Sequence, residues 1–159
     1  VKVLVWIAEA TWPACVDAVG ELFGDAEVTL LAALPGEAAA QASGARTGLW
    51  GRGSARDPGV RVAEIARDAA AAMLAEAGKR LGRPARTEVR EGRVERGVTA
   101  ACADADLLVL ARDGDLSRLG PHSLDRHTRF VVDHAPCRVL LVWPGHAPGL
   151  ASIPPPPPA

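Results

Sequence analysis

The chain switches repeatedly between two hydrophobic periods, and that switching narrows the folds open to it. Val3-Leu4-Val5-Trp6-Ile7-Ala8 is a continuous apolar run of strand length, as expected of a strand buried on both faces. Thr11 then offers an N-cap and Pro13 falls in a first helical turn, where its missing N–H costs little. Trp12, Val16, Val19 and Phe23 follow at helical spacing, and Gly24 supplies a stop. A second strand-like run, 28–34, ends at Pro35-Gly36. Helical spacing returns from Val60 to Leu81 on an apolar stripe of Val62, Ile65, Ala69, Met73 and Ala77, closed by Gly82 and Pro84.

The alternation continues to residue 143. Ala85–Glu91 reads as a short charged strand with one large apolar residue, Val89. Val94, Val98 and Cys102 mark one face of a third helix, and 106–111 is another buried strand. A polar loop from Arg112 leads to a helix core at Thr128–His134, with Phe130 and Val131 available for packing. Pro136 blocks its continuation, and 138–143 is a fifth strand.

Strands separated by helices require right-handed crossovers and build a mostly parallel sheet covered on both faces. Five strands in one α/β domain predict a doubly wound, flavodoxin-like sheet of order 3-2-1-4-5. Its edges are then the third and fifth strands. Charge on the third discourages foreign pairing, whereas the fifth is apolar and unguarded. Pairing with the same strand of a second copy, through Val139 and Leu141, would cover it, so a homodimer is expected. The domain spans 1–143, and the Pro-rich tail 144–159 is expected to be extended and disordered. The 35–59 connection, with Leu49-Trp50 its only bulky apolar pair, reads equally as a mobile insertion or a ligand-covering lid.

Composition excludes several functions. Net charge is -1, so no global basic field draws the chain to nucleic acid or anionic lipid. Arginine supplies 16 of the 18 basic residues, which carries weight only where arginines cluster. With 4% aromatics, a stacking platform for single strands is hard to build. Cys15, Cys102 and Cys137 are too dispersed for a disulfide framework and read as small buried hydrophobes in a reducing compartment. No apolar run approaches the roughly 20 residues of a membrane span, and no signal peptide is visible. The cytoplasm is the expected location.

In an open parallel sheet, ligands bind at the carboxyl ends of the strands where the order reverses. Here that means the ends of strands one and four: Ala8 and Glu9, and the loop from Ala111 to Arg126. Its glycine, Gly114, and the following helix N-terminus suit phosphate. Arg112, Arg118 and Arg126 are candidate cations, and Ser117 and Ser123 candidate hydroxyl donors. His122, Asp125 and His127 lack a familiar metal spacing, and no metal site is expected. His134 reads as a helix C-terminal imidazole, and Cys137 as core.

The element order, and the stretch from Leu107 through this loop to 129–142 with its His134-Ala135-Pro136-Cys137 segment, resemble the universal stress protein family. The resemblance covers 1–143, outside the 35–59 connection. It implies an adenine-nucleotide α-hydrolase-like fold, dimerisation through the last strand, and ATP or AMP held by a G-x-x-G-x9-G-[ST] loop with an acidic residue ending strand one. The sequence departs from that pattern. Ala111 stands at the first glycine, Gly114 at the second, and Asp125-Arg126 at the final Gly-[ST], one residue further on. Ala8 takes the acidic place, with Glu9 next to it. A carboxylate at Asp125 either caps the helix simply or also repels phosphate.

The expected function is a non-catalytic regulatory or ligand-sensing domain whose ATP or AMP binding is weakened, altered or lost, with at most slow hydrolysis. A nucleotide-free homodimeric module binding a protein partner is the alternative. An adenine-nucleotide-dependent enzyme is less favoured, because Glu9-Ala10-Thr11-Trp12 lacks a Gly-rich first loop.

Overall fold

A computed structural model describes residues 1–36 and 58–158 of the 159-residue chain. The connection expected at 35–59 thus lies largely outside the described residues.

Five strands form one parallel sheet: β1 (Lys2–Trp6), β2 (Glu27–Pro35), β3 (Arg86–Gly92), β4 (Leu107–Ala111) and β5 (Arg138–Val142). Their order is β3-β2-β1-β4-β5, as the alternating pattern requires. The register pairs Val5 with Leu30 on one side and with Val109 on the other, so the ends of β1 and β4 lie side by side. Among the described residues, four helices cover the faces: α1 (Trp12–Leu22), α2 (Pro58–Leu81), α3 (Val94–Ala101) and α4 (Arg126–His134).

Side chains alternate across the sheet because strand residues point to opposite faces in turn. Val3, Val5 and Ile7 pack with Val16, Val19 and Leu74 beneath α1 and α2. Leu4 and Trp6 pack with Val98 and Val131 beneath α3 and α4. Leu30, Leu108 and Val109 are fully buried, so each central strand contributes to a core that is aliphatic on both faces. Fully burying each such side chain contributes about 1.5–3 kcal/mol.

Three local expectations need correction. The buried stripe of α2 is Ala70, Leu74 and Ala77, whereas Val62 and Ile65 are 51% and 59% exposed and Ala69 is also exposed. The contact face runs through Ala70, Leu74 and Ala77, and Val62 and Ile65, near the start of α2, lie off it. Thr11 occupies the N-cap position of α1 but makes no capping hydrogen bond from its side chain. The tail is not extended throughout: a 3-10 turn at Leu150–Ser152 brings the Ser152 hydroxyl to accept the Leu119 N–H at 3.0 Å. No helix among the described residues is long and apolar enough to cross a membrane.

Candidate functional site

β4 ends at Ala111, and the chain then crosses the carboxyl edge of the sheet before entering α4. Backbone N–H groups released at such a turn need acceptors, and this turn supplies its own. The Asp113 and Gly114 N–H groups both donate to the Ser123 carbonyl, at 3.1 and 2.9 Å. The Asp115 N–H donates to the His122 carbonyl at 2.8 Å. Gly120, at φ 126°, adopts a conformation that L side chains avoid, and the chain reverses there into the 3-10 turn Pro121–Ser123.

Gly114 is needed for closure of this loop on itself. A Cβ added there would lie 2.3 Å from the His122 carbonyl oxygen and 2.9 Å from the Ser123 carbonyl carbon. The space left by the missing side chain is filled by protein backbone.

Carboxylates hold the rest. Asp113 accepts the Asp125 N–H at 2.9 Å and the hydroxyl of buried Thr128 at 2.6 Å, joining both ends of the loop. Asp115 accepts the Ser117 hydroxyl and N–H and, at 2.9 Å, the Arg118 Nε–H. The Ser117 hydroxyl, then its N–H, then Arg118 hold the Asp115 carboxyl below the ordinary aspartate value. Asp125 is the N-cap of α4, and its carboxylate takes the Arg126 N–H at 2.5 Å. Ser123 is fully buried; its hydroxyl donates to the Gly120 carbonyl at 2.7 Å and accepts from Arg112.

Arg112 lies further inside than a solvated turn would place it. Its guanidinium carbon stands 4.7 Å from the centre of the Trp143 ring, and its Nε is buried without a hydrogen-bond partner. The Arg112 N–H donates to the Val142 carbonyl at 2.9 Å, which extends the β4–β5 pairing by one residue. Cation–π contact and the Ser123 hydroxyl therefore carry the charge.

The remaining candidates line two neighbouring cavities. Ala10, at φ 66°, turns the chain after Ala8, and exposed Glu9 faces a cavity of about 640 Å³ shared with Trp12, Met73 and Glu76. That cavity is apolar and its charged lining groups are carboxylates, a poor setting for phosphate. Next to it, with Val94 lining both, Arg126 lines a cavity of about 660 Å³ with Arg93, Glu95 and His127. The Arg126 Nε–H donates to His127 Nε2 at 3.3 Å, which leaves His127 Nδ1 to donate to Glu95 at 3.0 Å. The Glu95 carboxyl is lowered by its own backbone N–H and by His127 and Arg93. Neither cavity is lined by residues 112–118.

Thus Ala111, Arg112, Gly114, Ser117, Arg118, Ser123 and Asp125 form one closed loop, while Ala8 and Glu9 line one cavity and Arg126 a neighbouring one, with Val94 lining both. Three contributors were missed in the sequence. Asp113 reads there as a turn residue, Thr128 as the plain start of a helix, and Trp143 as the end of a strand. Among the described residues, no three His, Cys, Asp or Glu side chains gather as a metal site.

No family model and no curated protein sequence matches the chain. Solved structures do match. The hypothetical protein MJ0577, a test case of structure-based function assignment, superposes with a TM-score of 0.67 at 15% identity, over 89% of this chain and 94% of that one. A universal stress protein in complex with cAMP gives 0.57 at 17%, over 91% and 97%. The universal stress protein UspA from Lactobacillus plantarum gives 0.55 at 20%, over 89% and 96%.

Gly114→Ala should destabilise the protein by about 1–3 kcal/mol in urea unfolding, because backbone must move to admit the methyl group. Gly145→Ala, where a Cβ meets nothing within 4 Å, is the control and should change stability by less than about 0.5 kcal/mol. Equal stability of the two variants would contradict the close packing described. In order of strands, placement of helices and extent of superposition, the chain has the universal stress protein fold.

Proposed function

We propose that this chain is a non-catalytic ligand-sensing or regulatory domain of the cytoplasm in which adenine-nucleotide binding is weak or lost. One observation carries the reading: the N–H groups that would cradle phosphate donate into the loop itself. A phosphate seated at Gly114 would have to displace the His122–Leu124 backbone. At the α4 N-terminus it would meet the Asp125 carboxylate, already occupying the favourable end of the helix dipole. The cAMP-bound structure of the same fold makes an adenine nucleotide the ligand class to test first.

Thermal melting with millimolar ATP–Mg tests this. Binding at micromolar affinity, with ligand at a hundred times its Kd, would add about 2.7 kcal/mol and raise the midpoint by about 5–10 °C. The wild-type chain should shift by less than about 1 °C. Asp125→Gly removes the carboxylate and should raise ATP affinity about tenfold, about 1.4 kcal/mol. A large wild-type shift, or an Asp125→Gly affinity equal to wild type, would overturn the proposal.

A homodimer through β5 is favoured by a separate observation. β5 is a sheet edge, and its Val139–Val142 segment is only half-buried in the single chain. Val139 and Leu141 lean toward the α3–α4 face and would continue that core across a two-copy sheet. Sedimentation at micromolar concentration should give twice 16.5 kDa, and Leu141→Lys should return it to the single-chain mass. A wild-type monomer would remove the dimer and leave the nucleotide reading standing.

A further inference from the structure

We propose that Cys102 and Cys137 are an oxidisable pair that closes reversibly to an intramolecular disulfide when the protein meets a hydroperoxide. The site lies at the amino ends of β4 and β5, at the opposite end of the strands from the closed loop, and does not depend on the nucleotide reading.

The fold unites two cysteines that lie far apart in sequence. Cys102 opens the 3-10 turn Cys102–Asp104 that leads into β4, and Cys137 immediately precedes β5. The Ala105 N–H donates to the Cys102 carbonyl at 3.1 Å within that turn, and the N–H of Arg138, one residue past Cys137, donates to the Asp106 carbonyl at 3.4 Å. Leu107 and Arg138 then begin the parallel pairing of β4 with β5. Both cysteines belong to the packed cluster beneath α3 and α4, and the Cys102 thiol feels the Cys137 thiol as a neighbour. Cys15 lies in the cluster on the opposite face of the sheet.

The two thiols differ in a way that orders the chemistry. Cys102 is 1% exposed, and burial first, then the neighbouring Cys137, push its thiol up to about 12, with Arg90 working weakly the other way. It remains a neutral thiol and a poor first nucleophile. Cys137 is only half-buried and is open to a small oxidant. The Cys137 thiolate attacks a peroxide oxygen: an S–O bond forms, the O–O bond breaks, and hydroxide (or an alkoxide) leaves. Cys102 sulfur then attacks the Cys137 sulfenic sulfur, forming S–S and breaking S–O, with water as the leaving group. Two thiols and one hydroperoxide become one disulfide and two molecules of water, or water and an alcohol. A dithiol reductant reverses the change by exchange. The bridge would pin the turn after α3 to the root of the edge strand.

The test uses the full reduced chain, treated with hydrogen peroxide and then alkylated in denaturant. Intact mass should fall by about 2 Da before alkylation, with one of the three thiols still alkylatable. Peptide mapping should join Cys102 to Cys137, and dithiothreitol should restore three alkylatable thiols. Cys15→Ala should form the same bridge. Cys102→Ser should instead stop at oxidised Cys137, trapped by a sulfenic-acid reagent. Three alkylatable thiols after peroxide, sulfinic Cys137 beside an untouched Cys102, or a Cys137–Cys137 bridge between two chains as the main product would each overturn the proposal.

Discussion

A backbone N–H taken out of water must find an acceptor, and the turn after β4 answers that demand from within. The turn lies at the switch point of the sheet, where β1 and β4 diverge to opposite neighbours. Loops at such points often leave their amides free for a ligand. Here Ser123, His122, Asp113 and Asp125 supply the acceptors. Each intramolecular hydrogen bond contributes about 0.5–1.5 kcal/mol net, so a ligand that opened the loop would have to replace several such bonds at once. The proposed weakness for phosphate rests on that closure.

Much of the architecture was legible because it rests on period and sign. Runs of strand length separated by helical spacing leave little choice but a parallel sheet, and charge on β3 marked it as an edge. Face selection on α2 was less legible. The stripe read from the sequence includes Val62 and Ile65 and omits Ala70 and Leu74, yet the first two are exposed and the last two buried. Thr11 shows the same limit: its residue type fits a cap, but its hydroxyl turns to the Ala8 carbonyl at 3.5 Å instead.

The site was half legible. Its position followed from topology, and Asp125 was readable as a cap from residue type alone. What the sequence could not convey was direction. Arg112, Ser117 and Arg118 are the residues one would choose to meet an anion, yet each is turned toward Ser123 or Asp115. Such closure depends on backbone geometry at Gly114 and Gly120, and on a tryptophan 31 residues beyond Arg112, which no local spacing reports. The cysteine pair was hidden for a related reason, since only the parallel pairing of β4 and β5 brings Cys137 to the turn that holds Cys102.

Amide hydrogen exchange read residue by residue bears most directly on the closed loop. The Gly114, Asp115, Asp125 and Arg126 amides should exchange far more slowly than an open loop allows, at rates unchanged by millimolar ATP–Mg. Rapid exchange at these four positions, or protection that appears only with nucleotide, would contradict the account.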